Sequence, residues 1–178
     1  LVLTLSVRAQ VRVALLIGAV ALAYPLLKGA DLVPQDRLLA QAERIDPDRA
    51  NSLRFRFDNE DTLLERAYEK PFFGWGSWGR NHLHDPVSGA ILTTSDGLWV
   101  ISIGIYGWVG FLAQFGLLLL PLVLIWRAMP GHRPDAVSPL VGPLSLMLAI
   151  DVADMIPNAT LTPLTWLIAG ALTGYAER

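Results

Sequence analysis

The sequence predicts an all-α polytopic membrane protein, with about four transmembrane helices and a helical periplasmic loop. Three observations carry this expectation. Hydrophobic residues make up 53% of the 178 residues and charged residues only 17%, with a mean hydropathy of +0.43. A soluble domain carries about 25% charge, so this chain has too little to cover a soluble surface. The charge is also concentrated: 9 of the 14 basic and 12 of the 16 acidic residues fall between Lys28 and Asp96. Finally, no charge at all occurs from Leu98 to Trp126. The same composition excludes a disordered, coiled-coil or collagen-like chain. A net charge of −2 leaves no basic excess for a nucleic-acid partner. With no Cys, disulfides, thiolate catalysis and Cys-ligated zinc are excluded. The sequence opens at Leu1 in an already apolar stretch, and is expected to be the C-terminal part of a longer membrane protein.

The first span is expected within residues 1–27. Fifteen uncharged residues, Val13 to Leu27, lie between Arg12 and Lys28. A span needs about 20 residues, and snorkelling of the two flanking cations extends the reach. A signal peptide is the competing reading, but no small-residue cleavage site follows Tyr24-Pro25.

Residues 28–97 form a polar extramembrane segment with two amphipathic helices. Leu38, Leu39, Ala42 and Ile45 fall on one helical stripe, and Asp46-Pro47-Asp48 ends it. Asp58 or Asn59 is placed to cap the second helix, with Glu60 and Asp61 in its first turn and Leu63, Leu64, Ala67 and Tyr68 as its apolar face. Pro71 ends that helix.

The second span is expected over residues 98–126, with Gly107 and Gly110 marking a break near its outer end. Residues 127–136 form a short loop carrying Arg127 and Arg133, and residues 137–178 a closing pair of spans joined around Pro157-Asn158. Short basic loops stay in the cytoplasm while long loops translocate regardless of charge. The N-terminus and residues 127–136 are therefore placed inside and the long loop outside. Asn158-Ala-Thr160 fits a glycosylation sequon, which carries little weight in a chain of bacterial character.

Several groups in the loop invite a chemical reading, each beside a plainer one. Gly74-Trp-Gly-Ser-Trp-Gly79 matches GxGxxG but lacks the preceding strand of a dinucleotide site. A tight aromatic turn at the membrane interface fits it better, with Trp75 and Trp78 suited to that depth. His82 and His84, with Asp85, are either metal ligands, an acid, base or phosphate contact, or solvated loop residues. No further ligands accompany them, so no metal is expected. Arg54, Arg56, Arg66 and Arg80 carry the planar fork that suits phosphate. Arg66 is assigned to an ordinary ion pair with Glu69 at i, i+3. Arg56 and Arg80 flank the glycine turn and are the better diphosphate ligands. Asp96, with Ser95, is either a helix cap or a functional carboxylate. Asp151 and Asp154 share a face, either within the membrane or on a helix that has emerged into water.

The loop and the span after it resemble the C-terminal region of the bacterial O-antigen ligase and polysaccharide polymerase superfamily. Arg56 stands fifteen residues before Pro71, and Pro71-Phe-Phe-Gly-Trp-Gly76 resembles the family's Pro-apolar-apolar-Gly-x-Gly element. Asp96-Gly-Leu-Trp-Val through Tyr106-Gly-Trp-Val-Gly110 resembles its element at the start of a span, and Asp154-Met-Ile-Pro-Asn-Ala with Thr162-Pro-Leu-Thr-Trp166 resembles its closing helix pair. The resemblance implies an inner-membrane glycosyltransferase without metal or cofactor. Its donor would be a glycan on undecaprenyl diphosphate, and its acceptor a second glycan or a lipid. Ligases carry His where this chain has Asp96, which favours a polymerase and leaves His82 or His84 to supply an imidazole. The implied catalytic set is Asp96, His84 and His82, with Arg56 and Arg80 on the diphosphate. A non-catalytic membrane subunit, or part of a transporter or flippase for polysaccharide export, is the alternative.

Overall fold

The structure, a computed structural model, describes residues 5–129 and 137–177. All regular structure among them is helical: α1 (Val7–Gly29), α2 (Gln35–Ile45), α3 (Pro47–Tyr68), α4 (Leu98–Ala128), α5 (Val141–Asp154) and α6 (Pro163–Ala176). Two of these, α1 and α4, are long and apolar enough to cross a membrane. Helices α5 and α6 have 14 residues each, short of the ~20 that a span needs. Most of the expected loop 127–136 lies outside the described residues; Arg127 itself is in the last turn of α4.

The chain divides into two compact units, Tyr24–Phe111 and Leu1–Ala23 with Leu112–Arg178. In the second unit, α1 approaches α4 closely at Gly18, where an added Cβ would strike the Leu119 side chain. Arg12 lies over the Trp126 ring at 5.1 Å, so its guanidinium finds an aromatic face as well as water. Helices α5 and α6 pack on each other. The Thr165 hydroxyl donates to Asp151 Oδ2 at 3.2 Å, and Asn158 Nδ2 and Thr160 Oγ1 donate to the two Asp154 oxygens at 2.9 and 2.7 Å. Both carboxylates thus hold the turn between the two helices.

The first unit departs from the sequence expectation at α3. That helix begins at Pro47, not near Asp58. Asp46 ends α2 and also caps α3: its backbone is extended, its side chain accepts from Asp48 N at 3.0 Å, and Pro47 fills the first helical position. Glu60 and Asp61 therefore sit in mid-helix. Asn59 Nδ2 bonds back to the Phe55 carbonyl at 2.8 Å, and its Oδ1 accepts from Thr94 N at 2.7 Å, tying α3 to the segment before α4. Leu63, Leu64 and Ala67 are buried as expected, but Tyr68 is exposed. None of the α2 stripe is buried, and Ile45 stands in solvent.

Helix α4 is two helices end to end. Gly107 has φ 67° and ψ −171°, a conformation that breaks the ladder and is essentially reserved for glycine. Gly110 remains helical. The break strands carbonyls on one side and N–H groups on the other. The glycine turn satisfies both. Trp75 N donates to Gly104 O at 2.9 Å and Gly76 N to Ile105 O at 2.8 Å. In return, Trp108 N donates to Pro71 O at 2.8 Å and Val109 N to Phe72 O at 3.2 Å. A Cβ on Gly107 would strike the Phe72 carbonyl, and one on Gly74 (φ 64°) the Ile105 carbonyl.

Gly107→Ala should therefore destabilise the fold by about 1–3 kcal/mol, the usual cost of such a backbone region. Gly116→Ala, where an added Cβ meets open space, should change stability by less than about 1 kcal/mol. Denaturant unfolding of the two detergent-solubilised variants beside the parent checks this.

Candidate functional site

Of the candidate catalytic and diphosphate-binding residues, the structure pairs Arg56 with Asp96. Arg56 Nε stands 3.4 Å from Asp96 Oδ2, with the side chains 41% and 40% exposed. Arg56 projects from α3 and Asp96 from the segment before α4. Gly97 O accepts from Ile101 N at 3.3 Å, so Gly97 holds the capping position and Asp96 lies one residue outside it. That removes the capping role read from the sequence and leaves the carboxylate to the guanidinium. A pair this exposed is worth only ~0–1 kcal/mol of stability.

The two histidines differ. His82 is buried, and its Nδ1 lies 3.1 Å from the Thr93 carbonyl and 2.9 Å from the Thr93 hydroxyl. A carbonyl only accepts, so Nδ1 carries the proton and Nε2 keeps the lone pair. Nε2 is buried without a hydrogen-bond partner among the described residues. The Trp78 ring meets the imidazole edge-on, 4.9 Å between centroids. Burial holds the His82 pKa below its ordinary value against the opposing bond to Thr93, and His84 pushes it the same way. His84 is exposed and pairs through its backbone with Ile91 in a short hairpin. Asp85 builds the hairpin tip: its Oδ1 accepts from the Ser88 and Val87 N–H groups and the Ser88 hydroxyl, which hold its carboxyl below the ordinary range. Arg80 is exposed and has no ion-pair partner among the described residues. Likewise no three of His, Asp and Glu converge as a metal-ligand set among them. Arg66 pairs with Glu69 at 2.7 Å, as its spacing predicts, and also lies 3.5 Å over the Trp75 ring.

A buried charge cluster escaped the sequence reading. Lys28 does not snorkel to water: its side chain is fully covered, with Nζ 2.8 Å from Asp61 Oδ1, 3.9 Å from Glu60 Oε2 and 4.7 Å from the centre of the Phe57 ring. The Tyr24 hydroxyl donates to Glu60 Oε2 at 3.1 Å, and the Tyr24 ring stacks edge-on with Trp99. Burial raises the Glu60 pKa, while Lys28, the Tyr24 hydroxyl and the Trp99 indole pull it back. The cluster joins α1, α3 and α4 one turn from each member of the Arg56–Asp96 pair. Its signal in the sequence was a Lys ending an apolar run, beside two adjacent acids on an otherwise amphipathic helix.

Compared with known protein families, curated proteins and solved structures, the chain matches none.

Lys28→Met leaves the Glu60 carboxylate covered and without its cation. Removing one partner of a buried pair costs about 3–5 kcal/mol. Asp61 is 46% exposed and stays hydrated, so the expected loss is nearer ~2 kcal/mol. Adding Glu60→Gln to Lys28→Met should recover more than half of it in the same unfolding measurement.

Proposed function

We propose that the chain is part of an inner-membrane glycosyltransferase that polymerises, or less favourably ligates, a glycan carried on undecaprenyl diphosphate. In this reading α1 and α4 cross the membrane, residues 28–97 lie on the periplasmic side and 127–136 in the cytoplasm. The acceptor is a second lipid-linked glycan or a lipid. The observation that carries the reading is the Arg56–Asp96 pair: a planar cation and a carboxylate, both open to solvent, at the start of a helix apolar enough to cross a membrane.

The chemistry asks for those two groups. The acceptor hydroxyl oxygen attacks the donor's anomeric carbon. The bond from that carbon to the phosphate oxygen breaks, and the lipid diphosphate leaves with its electron pair. A guanidinium beside the leaving oxygens stabilises the charge that develops there. Asp96 orients the acceptor hydroxyl and takes its proton, a contribution typically worth about 10²–10⁴ in rate. Incoming phosphate competes for Arg56 and frees the Asp96 carboxylate for that task. Arg80, exposed on the glycine turn, is the second diphosphate ligand. His84, which faces solvent, and His82, whose Nε2 keeps its lone pair but is covered, are the candidate second bases.

Charge reversal separates this role from a plain ion pair. In the full-length protein in cells, Asp96→Asn and Arg56→Ala should each abolish most polymer at normal protein level, and single lipid-linked repeat units should accumulate. The swapped pair Arg56→Asp with Asp96→Arg should stay inactive. Normal polymer from the swapped pair would reduce Arg56–Asp96 to a structural contact.

A further inference from the structure

The glycine turn that heals the α4 break exposes Phe72 and Phe73, which are 70% and 75% accessible, and the nearby Trp78 at 59%. Their position along the chain is fixed by the break. Pro71 and Phe72 accept from Trp108 and Val109, the first two residues after Gly107. From Trp108 to Ala128 the helix runs on, uncharged until Arg127. Those 21 residues, at 1.5 Å each, match the ~30 Å of a hydrocarbon core without the preceding ten.

The two parts of α4 also differ in what covers them. Before the break, Trp99, Val100, Ile103 and Ile105 are all buried by protein. After it, Val109, Leu112, Leu117, Leu120 and Val123 are all exposed, a stripe available to lipid. Amphipathic groups cluster where the two parts meet. Trp75, Trp78, Tyr106 and Trp108 form the aromatic set expected at a membrane–water boundary. Arg66 and Lys70 both lie over Trp75, at 3.5 and 4.2 Å from its ring centre, with Lys70 exposed beside Pro71. An apolar tip with aromatic rings and cations beside it has the mixed chemistry of the acyl, carbonyl and phosphate layers of a phospholipid leaflet.

We infer that Phe72 and Phe73 are a wedge inserted into the lipid bilayer at the boundary of acyl chains and headgroups, and that the membrane crossing of α4 begins at Trp108 and not at Leu98. The wedge rests on the reading of α4 as a span but not on glycosyl transfer. Its occupant is phospholipid, because the exposed tip is continuous through backbone hydrogen bonds with the lipid-length part of α4.

The absence of Cys makes single spin labels unambiguous. The full chain carrying labelled Phe73→Cys is placed in phosphatidylethanolamine and phosphatidylglycerol vesicles. Relaxation by oxygen, which enters lipid, is compared with relaxation by a water-soluble nickel chelate. Leu117→Cys serves as the lipid reference and Ser52→Cys as the water reference; Phe72→Cys repeats the measurement should the Phe73 variant misfold. The oxygen-to-nickel ratio at Phe73 should lie several-fold above Ser52 and below Leu117. A ratio equal to that of Ser52, with Leu117 still oxygen-dominated, overturns the wedge and leaves the span intact. A label shielded from both reagents means that protein covers the tip, and also overturns it. Nickel dominance at Leu117 removes the span on which the wedge rests.

Discussion

Every peptide group in this chain must find a hydrogen-bond partner, and at Gly107 the helix cannot supply it. A break in an apolar helix normally costs several unpaired polar groups in surroundings with little water. Here four backbone bonds from Pro71–Gly76 replace the lost ladder, two to each side of the break. Close approach of backbone to backbone is required, and a Cβ at either Gly74 or Gly107 would prevent it. The turn and the broken helix are thus one structure: neither half is satisfied without the other.

This joint sets where the candidate site falls. The half-helix before Gly107 is anchored at its far end by Trp99 against Tyr24, and its lead-in segment by Thr94 N on Asn59. Asn59 sits three residues after Arg56 on α3, and Glu60 one turn after it. Lys28, with Glu60 and Asp61, holds α1 against that same turn of α3. Arg56 and Asp96 therefore meet because two helices are clamped next to them; their own attraction, half in water, is too weak to do it. Ionic groups carry out both tasks, but burial separates them. The covered cluster fixes geometry, while the open pair keeps two charged groups accessible to solvent.

Much of the helical architecture was legible in the sequence. The uncharged run from Leu98, the α2 stripe and the Gly107 break all follow from periodicity, charge spacing and glycine placement. What misled was local grammar with two meanings. Asp46-Pro47-Asp48 reads as a terminator, yet extended Asp with Pro at the next position is equally a helix start, and Asp46 is both. Lys28 at the end of an apolar run reads as a snorkelling anchor; only the tertiary arrangement reveals the two acids that bury it. The Arg56–Asp96 contact spans forty residues and no periodicity encodes it. The glycine turn was read as a tight aromatic turn, but its purpose as a backbone donor and acceptor depends on the distant break. Arg56 and Asp96 were each picked out from the sequence, and their pairing was not.

Amide hydrogen exchange at the break tests the central claim most directly. If Pro71–Gly76 completes the interrupted helix, the amides of Trp75, Gly76, Trp108 and Val109 should exchange as slowly as those in the unbroken middle of α4, and should be released together when the protein unfolds. Fast exchange at Trp108 and Val109, beside slow exchange at their helical neighbours, would show the break unhealed and contradict the account.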